Sequence, residues 1–222
     1  MHESHASRNT LTPEPGKIGI IADSHGQPDA IENALRFLKH EDCRQVYHLG
    51  DICDSSHPET ADACVHLLQE SGVLAIKGNN DHRIVTDHVD VPADCISGPT
   101  VDYLKNLPQI LKCDSAMGAH SLPFEDDLGP ASMIWAMTEN DIRRFFREFP
   151  CCLLFRGHSH SPWIAWKNRN TIIKKPMSSG EQVSLNDRFP SVITCGALTR
   201  GLCMIWHTEK MSLTCLSIDN AV

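Results

Sequence analysis

Short apolar runs alternate with stretches of helical period through the first half of the chain. Residues Lys17 to Ala22 form a brief apolar run that predicts a strand, and Asp29 to Leu38 sets Ile31, Leu35 and Leu38 at the spacing of one helix face. The unit recurs: Gln45 to Leu49 reads as a strand, Glu59 to Gln69 as a helix, and Val73 to Ile76 as a strand ending at Gly78. Alternation of this kind predicts a largely parallel central sheet. Further on, Ser115 to Ala119 and Cys151 to Phe155 read as strands around a helix from Thr138 to Phe149, opened by Thr138 with Asp141 three residues on. From Trp163 the pattern is β-rich, and antiparallel strands are expected at Trp163 to Trp166, Thr171 to Ile173, Ser191 to Cys195, Leu202 to Trp206 and Leu213 to Ile218. Residues 1–16 are polar, carry Pro13 and Pro15 and show no period, so a loose extension is expected before a single domain over 17–222.

Composition narrows this picture. At 222 residues and 41% hydrophobic, the chain can bury one sizeable core. No run approaches the ~20 apolar residues of a membrane span, and the first residues lack the apolar stretch of a signal peptide, so a cytoplasmic protein without a membrane partner is expected. A formal charge of -8 argues against a general nucleic-acid binder, since such affinity comes largely from Lys and Arg on phosphates. Metal ions held by the carboxylates would reverse that sign locally, so a phosphate can still be attracted. The 10 cysteines contain no CxxC pair or zinc-ribbon spacing and are expected to be reduced thiols, with Cys151 and Cys152 on opposite faces of a strand.

The chemistry lies just past the strands. IIADSH puts Asp23 and His25 after the first, VYHLGD puts Asp51 after the second, and LAIKGNND puts Asn79 after the third. AMGAH then delivers His120, and LLFRGHSH delivers His158 and His160. Five strand ends thus supply seven oxygen or nitrogen donors, too many for one tetrahedral site and suited to two ions that share a carboxylate. Glycines before Asp51, Asn79 and His158 fit a chain that turns tightly on leaving each strand.

The series DSH, GD, GNND, a lone His after a strand, and GHSH resembles the calcineurin-like metallophosphoesterase superfamily, over about residues 17 to 218 and in family order. The resemblance implies an α/β fold, a four-layer α-β-β-α sandwich with two central β-sheets. It implies one ion held by Asp23, His25, Asp51 and His160, and a second held by Asp51, Asn79, His120 and His158, with Asp51 bridging. The ions expected are divalent transition metals, Mn first, with Fe, Zn or Ni as alternatives. The implied activity is hydrolysis of a small or nucleotide-like phosphate ester by a metal-bridging hydroxide, with Asp51, Asn79 and His120 as the catalytic core. Nuclease activity, or a non-catalytic interaction scaffold on the same fold, are the alternatives.

Two departures bear on mechanism. Many family members place His after the Asn of the GN motif, where it protonates the leaving group; here that slot is Asn80, as in the compact phosphodiesterase branch, and an amide cannot act as a general acid. The Asn-Pro-Gly-Ser turn common in relatives of this size is replaced by Thr194-Cys195-Gly196-Ala197, which removes the phosphate contacts of its Asn and Ser. Asn80, Arg83 and Arg156 are candidate substrate contacts, with Arg156 equally readable as a salt-bridge residue at the sheet end. Asp81 and Asp54 are expected to orient loops, Cys53 to pack, and His48 to be structural, while His82 is read first as a loop side chain and second as a substitute acid. Trp163, Trp166, Lys167, Arg169, Lys174 and Lys175 could stack a base, although a solvated hairpin with packed tryptophans is the favoured reading.

Overall fold

The computed structural model describes residues 10–11, 15–86, 95–113 and 115–218. Two mixed sheets face each other. The first carries, in spatial order, β10 (Gln182–Ser184), β13 (Ser212–Ser217), β12 (Leu202–His207), β2 (Lys17–Ile21), β3 (Cys43–His48) and β4 (Leu74–Ala75). The second runs β1 (Thr10–Leu11), β5 (Ile110–Cys113), β6 (Ala116–Ala119), β7 (Leu153–Arg156), β11 (Ser191–Thr194), β8 (Trp163–Asn168) and β9 (Thr171–Pro176).

Why the chain takes this form follows from where its apolar faces go. Helix α1 (Pro28–His40) starts with proline, carries Asp29 in its first turn and Lys39 and His40 in its last, and buries Ile31, Ala34 and Leu38 on one face. With α2 (Ala61–Glu70), α3 (Asn79–Thr86) and α4 (Gly98–Asn106) it covers the outer face of the first sheet. After two four-residue helices, α5 (Glu125–Leu128) and α6 (Ala131–Ile134), α7 (Glu139–Glu148) covers the second sheet with Ile142, Phe145 and Phe146. Its start is the expected capping box, in which the Asp141 carboxylate accepts from the Thr138 N–H at 2.8 Å and the Thr138 hydroxyl accepts from the Asp141 N–H at 3.3 Å. Between the sheets lies a third apolar layer that includes Ile18, Ile20, Leu49, Phe155, Ile193 and Trp206. The result is the four-layer α-β-β-α sandwich, each large apolar side chain buried in it contributing roughly 1.5–3 kcal/mol.

Parallel pairing of β2, β3 and β4, and of β6, β7 and β11, sends their C-terminal ends to one edge of the sandwich. Register keeps those ends level: Ile21 pairs with His48 and His48 with Ala75, while Ala119 pairs with Arg156 and Arg156 with Thr194.

The β-rich last third differs from expectation in two strands: β10 is not among those expected, and β11 is not purely antiparallel. β11 is antiparallel to β8 but parallel to β7, because after β9 the chain adds β10 to the first sheet and then returns to insert β11 between β7 and β8. Cys151 and Cys152 precede β7 rather than lie in it, since Pro150 sits in the turn that closes α7. Among the described residues no cysteine forms a disulfide. Thr10–Leu11, within the stretch expected to be loose, pairs in parallel with Lys112 and Cys113, while residues 1–9 and 12–14 lie outside the described residues. No helix among the described residues is long and apolar enough to cross a membrane.

Candidate metal centre

All seven donors read from the sequence meet at this edge. Asp23, His25, Asp51 and Asn79 arrive from the first sheet, and His120, His158 and His160 from the second. Asp23, Asp51, His158 and His160 follow their strands in left-handed backbone conformations, with φ of 56°, 54°, 66° and 57°, and His25 does the same at 42°. Such a conformation costs a non-glycine residue roughly 1–2 kcal/mol. Concentrated on five of the seven donors, the strain marks a site whose side chains must point where an ordinary turn would not send them.

The donors form two groups that share Asp51. In one, the Nε2 atoms of His25 and His160 lie 3.0 Å apart and His160 Nε2 is 3.6 Å from Asp23 Oδ1. In the other, Asn79 Oδ1 lies 3.1 Å from both His120 Nε2 and His158 Nδ1. Asp51 stands between, with Oδ2 3.8 Å from His25 Nε2 and Oδ1 3.5 Å from His120 Nε2.

These contacts are ones that a cation would reconcile. His120 Nδ1 lies 2.8 Å from the Leu49 carbonyl, which can only accept, so Nδ1 carries the proton and Nε2 presents a lone pair. That lone pair faces Asn79 Oδ1 and Asp51 Oδ1, acceptor against acceptor, and a positive ion at their centre removes the conflict. The ligand atoms of the first group, Asp23 with His25 and His160, fall within 4.8 Å of one another, and so do those of Asp23 with Asp51 and His120. The donor set, carboxylate, amide oxygen and imidazole, suits divalent transition metals.

Charge placement agrees. Burial, then the charge of Asp51, lifts the Asp23 carboxyl to about 8, against the opposing donation from the His158 backbone and the charge of Arg156. A carboxyl so disfavoured as an anion calls for a cation beside it. Burial holds His158 down at about 4, aided by His120 and Arg156, and also lowers His120 and His160, so these three imidazoles are held in the neutral form that binds a metal. For Asp51, burial is outweighed by His120, by Asn80 and by His25, and its pKa lies below the usual carboxylate value.

A second set of residues holds the donors. Asn80, expected at the substrate, instead clasps Asp51: its backbone N–H donates to Oδ1 and its side-chain amide to Oδ2, each at 2.8 Å, while its own oxygen accepts from the Ser55 hydroxyl at 2.8 Å. Asp81 is buried and accepts from the backbone N–H groups of Ile52, Cys53 and Gly78, which fixes the loops bearing Asp51 and Asn79. Gly78 permits their approach, since a Cβ there would lie 2.1 Å from Asp51 N and 2.3 Å from its Oδ1. Asp54 accepts from Ser56 N at 2.7 Å, and Cys53 is buried in the outer core.

Arg156 is 1% exposed, and neither sequence reading describes its contacts. Its Nε and one Nη donate to the carbonyl and hydroxyl of Ser121 at 2.9 Å, and the other Nη to the Thr194 hydroxyl at 3.0 Å, so it ties together the loops after β6 and β11. Arg83 is exposed on the outer side of α3, and His82 is half-buried on the same helix. The tryptophans of the basic hairpin are packed: Trp163 is 8% exposed with Lys174 Nζ 4.0 Å above its ring, and Arg188 lies 4.4 Å from the Trp166 ring. Sequence reasoning passed over Ser24, whose hydroxyl lies 2.9 Å from His48 Nε2 beneath the site, and Ser121, visible only as a serine after His120.

Comparison with known proteins gives the family and the fold. Residues 17–182 match the calcineurin-like phosphoesterase superfamily domain. Uncharacterized protein MJ0912 of Methanocaldococcus jannaschii is 22% identical over 172 residues, covering 70% of this chain and 67% of that protein. A metallophosphoesterase from Sphaerobacter thermophilus superposes with a TM-score of 0.74 at 20% identity, covering 92% of this chain and 88% of the other. A putative diadenosine tetraphosphatase superposes at 0.56 with 16% identity, covering 94% and 96%.

Proposed function

Because the chain belongs to the calcineurin-like phosphoesterase superfamily, we propose that it is a metal-dependent phosphoesterase that holds two divalent cations and hydrolyses a small or nucleotide-like phosphate ester. The observation that carries this reading is Asp51, whose two oxygens face two separate groups of donors, His25 on one side and His120 on the other. Asp23, His25 and His160 with one oxygen of Asp51 would hold one ion, and Asn79, His120 and His158 with the other would hold the second. When bound, such a pair supplies a nucleophile from water near neutral pH and offsets the negative charge that builds on the phosphoryl oxygens.

The chain's own residues prepare that chemistry. Leu49 fixes the His120 tautomer, and Asn80 orients both carboxylate oxygens of Asp51. Asn80 has no titratable proton to give the leaving group, which favours substrates whose leaving oxygen departs readily.

The test is metal-stripped protein reloaded separately with Mn, Fe, Zn, Ni or Mg, then assayed on p-nitrophenyl phosphate, bis(p-nitrophenyl) phosphate and diadenosine tetraphosphate. Transition metals should restore turnover better than Mg, because imidazole ligands favour them. Turnover indifferent to thorough chelation refutes metal dependence, and no turnover with any metal favours the scaffold.

A further inference from the structure

Past β11 the chain makes a tight turn that carries Arg200 to the edge of the metal centre. The 3-10 turn Leu198–Arg200 is pinned to the strand end that bears Asp23: Leu198 N donates to the Ala22 carbonyl at 2.8 Å and Thr199 N to the Asp23 carbonyl at 3.3 Å. Arg200 N donates to Ala197 at 3.0 Å, and Gly201, at φ 66°, closes the turn. The position of Arg200 relative to the donors is therefore set by backbone. Its side chain is exposed, and among the described residues its guanidinium has no hydrogen bond and no ion pair. By contrast, Arg143, Arg144 and Arg147 on α7 all pair with carboxylates. The charge of Arg200 reaches His160, whose pKa it helps to lower after burial and His25.

Arg200 lines a cavity of about 360 Å³ with Gln27, Asn33, Leu198, Thr199 and Ile218, between the start of α1 and the turn. Three of its lining residues are hydrogen-bonded to the segment that bears Asp23 and His25: Leu198 N to the Ala22 carbonyl, Thr199 N to the Asp23 carbonyl and Gln27 N to the Ser24 carbonyl, so the cavity adjoins that segment. Its described lining contains no Asp or Glu. A lone cation, three neutral polar side chains and an apolar wall describe a site for an organic anion, and the volume is at the small end for ligand pockets. A guanidinium suits phosphate because it donates two parallel hydrogen bonds.

We propose that this cavity binds a second phosphate of the substrate, held by Arg200, so that the preferred substrates are organic phosphates bearing a phosphate beyond the one cleaved. Nucleoside bisphosphates and nucleoside polyphosphates are the class that fits. The assignment rests on the phosphoesterase reading for where the cleaved phosphate sits.

Two measurements test it. The first is the ratio of kcat/KM for p-nitrophenyl thymidine 5′-phosphate with and without a 3′-phosphate, in wild type, R200A and R200K. A ratio within each variant cancels changes common to both substrates. The ratio should be about tenfold or more in wild type, near one in R200A through KM, and intermediate in R200K. The second is calorimetric binding of AMP, ADP and adenosine 3′,5′-bisphosphate to the full chain. At least one of the two latter nucleotides should bind about tenfold tighter than AMP, and R200A should erase the difference. A wild-type ratio near one together with equal binding of all three nucleotides overturns the proposal, as does a preference that survives in R200A. Preferential binding without turnover leaves the site standing and removes the phosphoesterase reading; turnover without preference does the reverse.

Discussion

A single methyl group added at Gly78 should disable the metal centre while leaving the fold in place. In Gly78→Ala the new Cβ would stand 2.1 Å from the backbone nitrogen of Asp51 and 2.3 Å from its Oδ1, neither of which is a flexible chain end. Relief to an ordinary contact requires a displacement of about 1 Å, whereas a ligand constellation tolerates about 0.5 Å. The same displacement strains the two 2.8 Å bonds from Asn80 that orient the Asp51 carboxylate. Disturbing partners that orient ligands typically costs roughly 10- to 100-fold in metal affinity or activity, and misplacement by 1 Å can cost about 10²-fold in rate, so the upper end of both ranges applies. Overpacking should also lower stability by about 1–3 kcal/mol, too little to unfold most domains. The assay is metal content by plasma mass spectrometry after dialysis, beside turnover and urea unfolding, with Gly98→Ala as control because a Cβ there meets nothing within 4 Å. Wild-type metal content and turnover in Gly78→Ala would refute the claim that close packing of the two loops positions Asp51.

Three further outcomes are expected. Asp51→Asn should lose nearly all turnover and bound metal with the fold intact, since an amide cannot bridge two cations and would turn a donor toward the Asn80 amide; unchanged metal content would count against a shared carboxylate. His48 is buried with its pKa lowered by burial to about 3, and its Nδ1 has no partner among the described residues. The unfolded state therefore gains the proton first as pH falls below about 6.5, and stability present above that pH is lost toward pH 3. By pH 5 this amounts to roughly 2 kcal/mol in metal-free protein, and His48→Gln should lose that much less between pH 7 and 5 in denaturant titrations; equal losses would remove His48 from the account. Across phosphodiesters of graded leaving-group pKa, rates should fall steeply, because Asn80 offers no general acid worth roughly 10² to 10⁴; a flat profile with chemistry rate-limiting would point to another acid, with His82 on α3 the first to test.

Much of this site was legible because its donors are short polar words set after apolar runs. A run such as Lys17 to Ala22 has few conformations that bury it, so the address of Asp23 follows. The α1 and α7 faces, with their proline and capping-box starts, were readable for the same local reason. What escaped notice depends on partners far along the chain. Asn80 reads as a substrate contact until the loop carrying Asp51 is brought against it, 29 residues away. Arg156 had two plausible readings as a cation, and its burial against Ser121 and Thr194 is set only when β6, β7 and β11 pair. Helix α3 has too short an apolar pattern to announce itself and is stabilised by packing on α4, while the parallel pairing of β11 reflects a crossover that local periodicity does not encode.

The order of strands in the first sheet has a consequence for the moment at which the protein can begin to work. β2, which presents Asp23 and His25, lies between β3 and β12, and β12 begins only at Leu202. A nascent chain made as far as His160 already contains every donor, yet β2 then lacks a neighbour on one side and the turn that pins Ala22 and Asp23 has not been synthesised. At ribosomal rates of ~5–20 residues per second, the ligands wait roughly 2–10 s for the strand that fixes them. Synthesis thus carries a built-in delay: the residues proposed to capture metal come first, and the wall that gives them their geometry comes near the end.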